Sequence, residues 1–303
     1  MLGLIGSKYY GTPLIMDILE ENGLRGTFFT EMLARDVVDG SELEAAYRSI
    51  RDRGHDAQLH LHPVFHFYGC VTQGLLKQAD LPQHMDWIGS LSTETQTELL
   101  KKAKESFLEI FGFVPTAFRA GCYGASTSTL AALDRIGIRY DSSYNAAYTG
   151  TSCLLPRRSQ GNIPWRNGLI WEIPVTTFET GTSGLRGLKP LEVSAVSFAE
   201  MRGVLSQAEQ IGQESVVVIL HSFAFLKRTD PQFQTMRPNQ IVIRRFEELC
   251  RFLRLNRDRF RALTFSQIPE PAENTAAIPS LKMGSLIPAV RKCVQAVNRI
   301  YWV

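Results

Sequence analysis

Three of the chain's six histidines, His60, His62 and His66, fall within seven residues in the stretch Gly54-His55-Asp56-Ala57-Gln58-Leu59-His60-Leu61-His62-Pro63-Val64-Phe65-His66. In a β-strand residues two apart point the same way, so Gln58, His60 and His62 share one face while Ala57, Leu59 and Leu61 share the other. Pro63 cannot continue a central ladder, so the strand is expected to stop there, with His66 returning from the loop that follows. Imidazoles converging at a strand end are candidate ligands for one divalent metal. Zinc is the first expectation and cobalt or nickel the alternatives, since neutral imidazole suits all three and the donors must meet within about 2 Å of the ion.

Polar groups also end the other strand-like segments. Val114 to Phe118 runs into Phe118-Arg119-Ala120-Gly121-Cys122-Tyr123-Gly124, Ile138 to Tyr140 into Asp141-Ser142-Ser143, and Ser215 to Leu220 into His221-Ser222-Phe223. Trp171-Glu172-Ile173-Pro174 is a further segment of this kind. Singly each has an ordinary reading, such as a hydrogen-bonded core histidine or an Asp-Ser-Ser turn. Jointly they are expected at one rim, because parallel strands deliver their C-terminal ends to the same side.

The elements that must position these groups alternate along the chain. Thr12-Pro13 opens a helix that Asn22-Gly23 stops, and Leu24 to Phe29 reads as a strand. Ser41-x-x-Glu44 and Thr93-x-x-Gln96 are capping-box patterns, the second opening a helix that Gly112 ends. Ser128 to Ile136 reads as a helix, Ser197-x-x-Glu200 opens another through Ile211, and the Val216 to Leu220 run looks like a strand buried on both faces. Gln240 to Leu255 is a basic amphipathic helix and Arg261 to Phe265 a last strand. Repeated strand and helix units imply a parallel sheet or a (β/α) barrel. Residues 67–92 and 142–190, rich in Gly, Ser, Thr, Pro and Trp, are expected as long loops or small hairpins over the strand ends.

Composition narrows the classes. A 44% apolar, 21% charged chain of 303 residues is that of a folded globular protein, and a net charge of +3 with no basic, aromatic-interleaved block argues against nucleic acid. The five cysteines are scattered and odd in number, as free thiols in a reducing compartment are, and the expected location is the cytoplasm. No stretch approaches the roughly 18 apolar residues of a transmembrane helix. The barrel is expected over residues 1–269, a linker over 270–285 and an amphipathic helix over 286–303. In that last segment Leu286, Val290, Cys293, Val294, Val297, Ile300 and Tyr301 share one stripe, with Arg291, Lys292 and Arg299 mostly off it. It fits a helix docked on the domain or, alternatively, a peripheral contact with a partner or an anionic membrane surface.

His55 to His62, Phe118-Arg119-Ala120-Gly121, Asp141-Ser142-Ser143 and Leu220-His221-Ser222-Phe223, in this order and at these separations, resemble the polysaccharide deacetylase (NodB-homology, carbohydrate esterase) family. Within it the chain is most similar to the bacterial branch associated with lipopolysaccharide and cell-envelope polysaccharide biosynthesis. The resemblance spans roughly residues 10–265. It implies an irregular (β/α) barrel that removes N- or O-acetyl groups from sugars, using one divalent metal held by an aspartate and two histidines. By this resemblance His60 is the first metal histidine, and His62 or His66 the second, because the family's spacing of four falls on Val64. Arg119 matches the arginine that orients the catalytic aspartate, His221 matches the histidine that protonates the leaving group, and Asp141 joins them as a catalytic group. Tyr123, Trp171, Glu172 and Phe223 are expected at the sugar, with Tyr68, Trp87 and Trp165 as further stacking surfaces.

One motif departs from the family. Its first strand ends in an aspartate pair, whereas the residues before the helix at Thr12 include no acid, and Asp17 lies inside that helix. The fold is therefore expected to lack its first strand, through a late start or as an inactive relative that binds carbohydrate without hydrolysing it. A generic metal-dependent barrel hydrolase is a third reading that needs further acidic ligands.

Overall fold

The computed structural model describes residues 2–38, 40–181, 187–228, 235–272 and 278–284. The chain forms two compact units, one of Thr27–Val175 with Thr264–Thr275, the other of Met1–Gly26, Thr176–Leu263 and Ala276–Val303.

The first unit is built on a six-stranded sheet. From edge to edge its strands are Thr27–Glu31, Asp56–Leu61, Ala117–Ala120, Tyr140–Asp141, Ile170–Glu172 and Trp165–Asn167. All neighbours are parallel except the final pair, a hairpin. Ala57, Leu59, Leu61, Phe118 and Ala120 are buried, as the apolar alternation demands, and the helices Gly40–Asp52 and Thr93–Phe111 pack on the Asp56–Leu61 strand. Tyr47, Ile50, Leu99, Leu100, Ala103 and Phe107 recur at helical spacing and supply the covering layer. Ser92 accepts the Thr95 N–H and so caps the longer helix, which Gly112 ends in a left-handed turn at φ 75°.

The other face carries polar ties between strands. Gln58 Oε1 accepts the N–H groups of Thr116 and Ala117 at 2.9 and 2.8 Å, and its Nε2 donates to Asp56 Oδ1 at 2.9 Å. Register is thereby locked where the His60 and Arg119 strands begin. Asp56 also receives Thr27 Oγ1 at 2.8 Å and the Ser266 hydroxyl. That anchor explains why Arg261–Phe265 is not the expected last strand: Phe265–Gln267 is a single 3-10 turn whose N–H groups bond to Thr27 and Asp56 side chains.

In the second unit Thr177–Thr180 pairs antiparallel with Gly187–Pro190 and parallel with Lys282–Met283, the latter inside the stretch expected as a linker. The helices Thr12–Glu21, Phe198–Gln210 and Gln240–Leu255 complete it, the second opened by the expected Ser197 and Glu200 capping box. The valine run before His221 is a correction to the sequence reading. It makes one isolated bridge, Ile219 with Glu192, and only Ile219 is buried. Its polar ties go to Thr176, through Val217, and to Leu191 and Val193, so it threads between two segments instead of joining a ladder.

Among the described residues the six-stranded sheet is open, with Thr27–Glu31 and Trp165–Asn167 at its edges, where the resemblance implies a barrel. The fold is mixed α/β with a largely parallel sheet. No described helix is long and apolar enough to cross a membrane. The expected C-terminal helix, 286–303, lies outside the described residues.

Candidate metal centre

Parallel register sets Glu31, His60 and Arg119 side by side at the ends of three adjacent strands. His62 lies just past its strand, extended at φ −109° and ψ 104°, so its ring stays near that of His60, with centroids 4.8 Å apart and planes at 83°. Pro63 then opens the helix Pro63–Thr72. Glu31, His60 and His62 each offer a donor atom, all within 4.8 Å of one another. One carboxylate and two imidazoles are the donor chemistry of a zinc-type site, so the residues present fit the metal the resemblance implies.

Each donor is held. Glu31 Oε2 accepts the His62 backbone N–H at 2.5 Å and Oε1 accepts that of Leu33 at 2.8 Å. The Nδ1 of His60 lies 2.6 Å from the carbonyl of Arg119, an acceptor only, so it carries the proton and Nε2 is the unprotonated nitrogen. The Nδ1 of His62 lies 2.8 Å from Asp86 Oδ1, and Cys122 Sγ donates to Asp86 Oδ2 at 3.1 Å. Gly121 leaves room for the ring: a Cβ there would sit 2.4 Å from His62 Nδ1.

Burial pushes the Glu31 carboxyl up to about 8, against N–H groups of Leu33 and His62, while the Asp86 charge adds to the rise. A dication bound beside it reverses this balance by favouring the carboxylate. Burial also acts on Asp86, but His62 and Cys122 hold it below the ordinary carboxylate range. Burial, then Asp86, pushes the Cys122 thiol up to about 12, consistent with its role as donor.

No family model matches the sequence. No curated protein matches it. Among solved structures, the chain is similar to a protein from Mycobacterium smegmatis assigned as a polysaccharide deacetylase, at 19% identity and a TM-score of 0.53, over 88% of this chain and 81% of that one. It is also similar to the chitin deacetylase of the fungal pathogen Colletotrichum lindemuthianum, at 14% identity and a TM-score of 0.43, over 87% and 84% of the two chains. The chain shares the fold of the Mycobacterium smegmatis protein.

Within this fold the other expected residues divide. Arg119 donates from Nε to the Ser142 carbonyl at 2.9 Å and from a terminal nitrogen to Ser142 Oγ at 2.7 Å, with its guanidinium 4.2 Å from the Phe29 ring centre. Burial lowers it to about 10, against the charges of Tyr123, Asp141 and Glu172, so it stays a cation at neutral pH. Asp141 and Glu172 are adjacent in register and fully buried. Asp141 Oδ1 accepts Ser143 Oγ at 2.6 Å, Glu172 Oε1 accepts the Tyr144 N–H at 2.9 Å, and the two carboxyls interact with each other. Burial raises both, and the neighbouring Asp141 charge raises Glu172 further.

Two of the residues expected at the sugar, Trp171 and Glu172, are buried. Glu172 is 0% exposed and Trp171 3%, and the Trp171 indole N–H is spent on Glu270 at 3.1 Å, so the sheet encloses both. Tyr123 stacks on Tyr148 with centroids 5.5 Å apart, and Phe223, 67% exposed, stacks on His221. His66 sits inside the helix Pro63–Thr72, not in a loop, with Nε2 3.5 Å from Cys70 Sγ, and it is absent from the donor groups that contain His62. In the second unit His221 Nδ1 lies 3.4 Å from Glu192 Oε1, which also accepts Ser194 Oγ at 2.5 Å.

Glu31, Asp86 and Glu192 were not among the expected site residues. Glu31 had a signal, because Thr27-Phe-Phe-Thr-Glu31 ends in a polar group like the other strands, once the strand is carried two residues past Phe29. Asp86 and Glu192 sit outside regular elements, where periodicity says nothing.

Proposed function

We propose that this chain is a metal-dependent hydrolase that removes an N- or O-acetyl group from a sugar of a cell-envelope polysaccharide or its precursor. The observation that carries the reading is the convergence of Glu31, His60 and His62 at adjacent strand ends. Glu31 supplies a carboxylate to the two histidines, which favours a hydrolase over an inactive carbohydrate-binding relative. The shared fold supports the same reading.

A divalent ion bound there, zinc first among candidates, supplies Lewis-acid polarisation of the acyl carbonyl. Glu31, His60 and His62 bind, the Arg119 carbonyl orients His60, and the Arg119 side chain, fixed on Ser142, orients the strand end that bears Asp141. Water adds to the acyl carbon and gives up a proton to solvent as the new C–O bond forms, and His221, supported by Glu192, is proposed as the acid that protonates the departing sugar nitrogen or oxygen as the acyl C–N or C–O bond breaks, leaving acetate. Tyr123 and Phe223 remain the proposed aromatic contacts for the sugar.

The test is acetate release from N-acetylated glucosamine oligomers and from O-acetylated polysaccharide, with protein loaded with zinc or cobalt. Turnover that disappears on chelation and in Glu31→Gln is expected. Metal-loaded protein that binds these sugars but releases no acetate overturns the proposal.

A further inference from the structure

We propose that Asp86 is a positioning residue for His62: its carboxylate holds the Nδ1–H of that ring and so makes Nε2 the atom presented to a metal. This rests on the metal reading above. A carboxylate accepts and does not donate, so the 2.8 Å contact between Asp86 Oδ1 and His62 Nδ1 selects the Nδ1–H tautomer. His60 is fixed in the same sense by the Arg119 carbonyl at 2.6 Å. The two rings thus receive matching support from different sources.

The carboxylate is itself held at both oxygens, since Oδ2 takes the Cys122 thiol at 3.1 Å. Cys122 itself sits at φ 53°, in the left-handed region that non-glycine residues rarely adopt. Asp86 also lies in a segment docked unusually closely on the turn after Arg119. The Gly89 N–H donates to the Gly124 carbonyl at 2.7 Å, a Cβ on Gly89 would lie 2.6 Å from Ser126 N, and one on Gly124 would lie 2.8 Å from Trp87 Cα. Together with Gly121 against the His62 ring, these contacts leave the Asp86–His62 geometry little freedom.

His62, Asp86 and Cys122 also offer donor atoms within 4.8 Å of one another, so the rival arrangement is a cation held by that trio directly. The experiment pairs nitrogen NMR of the histidine rings in metal-free protein with zinc titration and cobalt absorption, on wild type, Asp86→Ala, Asp86→Asn, Cys122→Ser and Glu31→Gln. His62 is expected as the Nδ1–H tautomer in wild type and as a mixture in Asp86→Ala. Zinc affinity should fall about 10–100-fold in Asp86→Ala, the range for an outer support of a metal ligand, with partial recovery in Asp86→Asn and little change in Cys122→Ser. Unchanged zinc affinity in a folded Asp86→Ala protein overturns the proposal, as does a cobalt–thiolate absorption band lost in Cys122→Ser. If wild type binds no divalent ion, the metal reading fails by itself, while the His62 tautomer in wild type against Asp86→Ala still decides the role of Asp86.

Discussion

Glu31 at the end of an edge strand accepts the backbone N–H of His62, one residue beyond the end of the neighbouring strand, at 2.5 Å. The contact fixes the turn of chain that carries the second imidazole and brings a carboxylate to both rings. A structural hydrogen bond and a metal ligand therefore meet in one side chain, and substitution separates the two roles.

Glu31→Gln keeps an amide oxygen for one N–H but removes the anion. Divalent affinity is expected to fall by more than the roughly 10–100-fold seen for outer supports of metal ligands, with a smaller loss of stability than in Glu31→Ala. Glu31→Ala leaves the Leu33 and His62 N–H groups without this acceptor and should cost about 1–3 kcal/mol as well. Zinc titration beside urea denaturation checks both. A Glu31→Gln protein that binds zinc like wild type removes Glu31 from the site.

The histidine strand was legible because its alternation and Pro63 mark both its faces and its end. Helices with capping patterns, such as those opened near Thr93 and Ser197, were legible to within a residue or two. The valine run at 215–220 misled because a continuous apolar run reports burial propensity and not ladder partners, which here are the Thr176 hydroxyl and N–H and one bridge. Arg261–Phe265 misled because an anchor on Thr27 and Asp56, more than two hundred residues away in sequence, turns it into a bend. The same non-locality hid Asp86, whose role depends on glycine contacts between segments that no local pattern connects.

The buried pair Asp141 and Glu172 should make metal-free stability fall as pH rises. Both carboxyls are raised above their ordinary range, so the folded state keeps protons that the unfolded chain releases. Their contribution is complete below the unfolded values and drains as pH rises through the folded ones, at about 1.4 kcal/mol per pH unit for one retained proton. Glu31, raised from 4.5 to about 8, acts in the same direction across that window. Asp86 and Glu192, held below the ordinary range, oppose it only at more acidic pH. Glu172→Gln should flatten the slope above about pH 5 and raise stability at the alkaline end. Urea denaturation across that range decides it, and a variant with the wild-type slope would exclude Glu172 as the source.

His221 is 45% exposed at its side chain, and its contacts are the Glu192 carboxylate and the Phe223 ring. His221→Ala should therefore leave the melting temperature nearly unchanged while lowering turnover about 10²–10⁴-fold, the usual loss for a general acid. Acetate release and thermal denaturation on the same preparation separate the effects. Retained turnover in the folded variant would assign the proton to another group.

Gly89 and Gly137 offer a paired test of close docking against backbone strain. A Cβ on Gly89 would lie 2.6 Å from Ser126 N, 2.8 Å from the Ala125 carbonyl carbon and 2.9 Å from Gly124 O, all backbone atoms that cannot swing aside. Gly137 has nothing within 4 Å of its Cβ position but sits at φ 75°, so alanine there is strained without a clash. Gly137→Ala should cost about 1 kcal/mol and leave zinc binding untouched. Gly89→Ala should cost about 1–3 kcal/mol, because the segment carrying Asp86 must lift from the Gly124–Ser126 turn. That lift moves the carboxylate away from His62, so zinc affinity should fall in the same variant. If both variants lose stability but bind zinc alike, the docking of this segment supports the fold and not the metal centre.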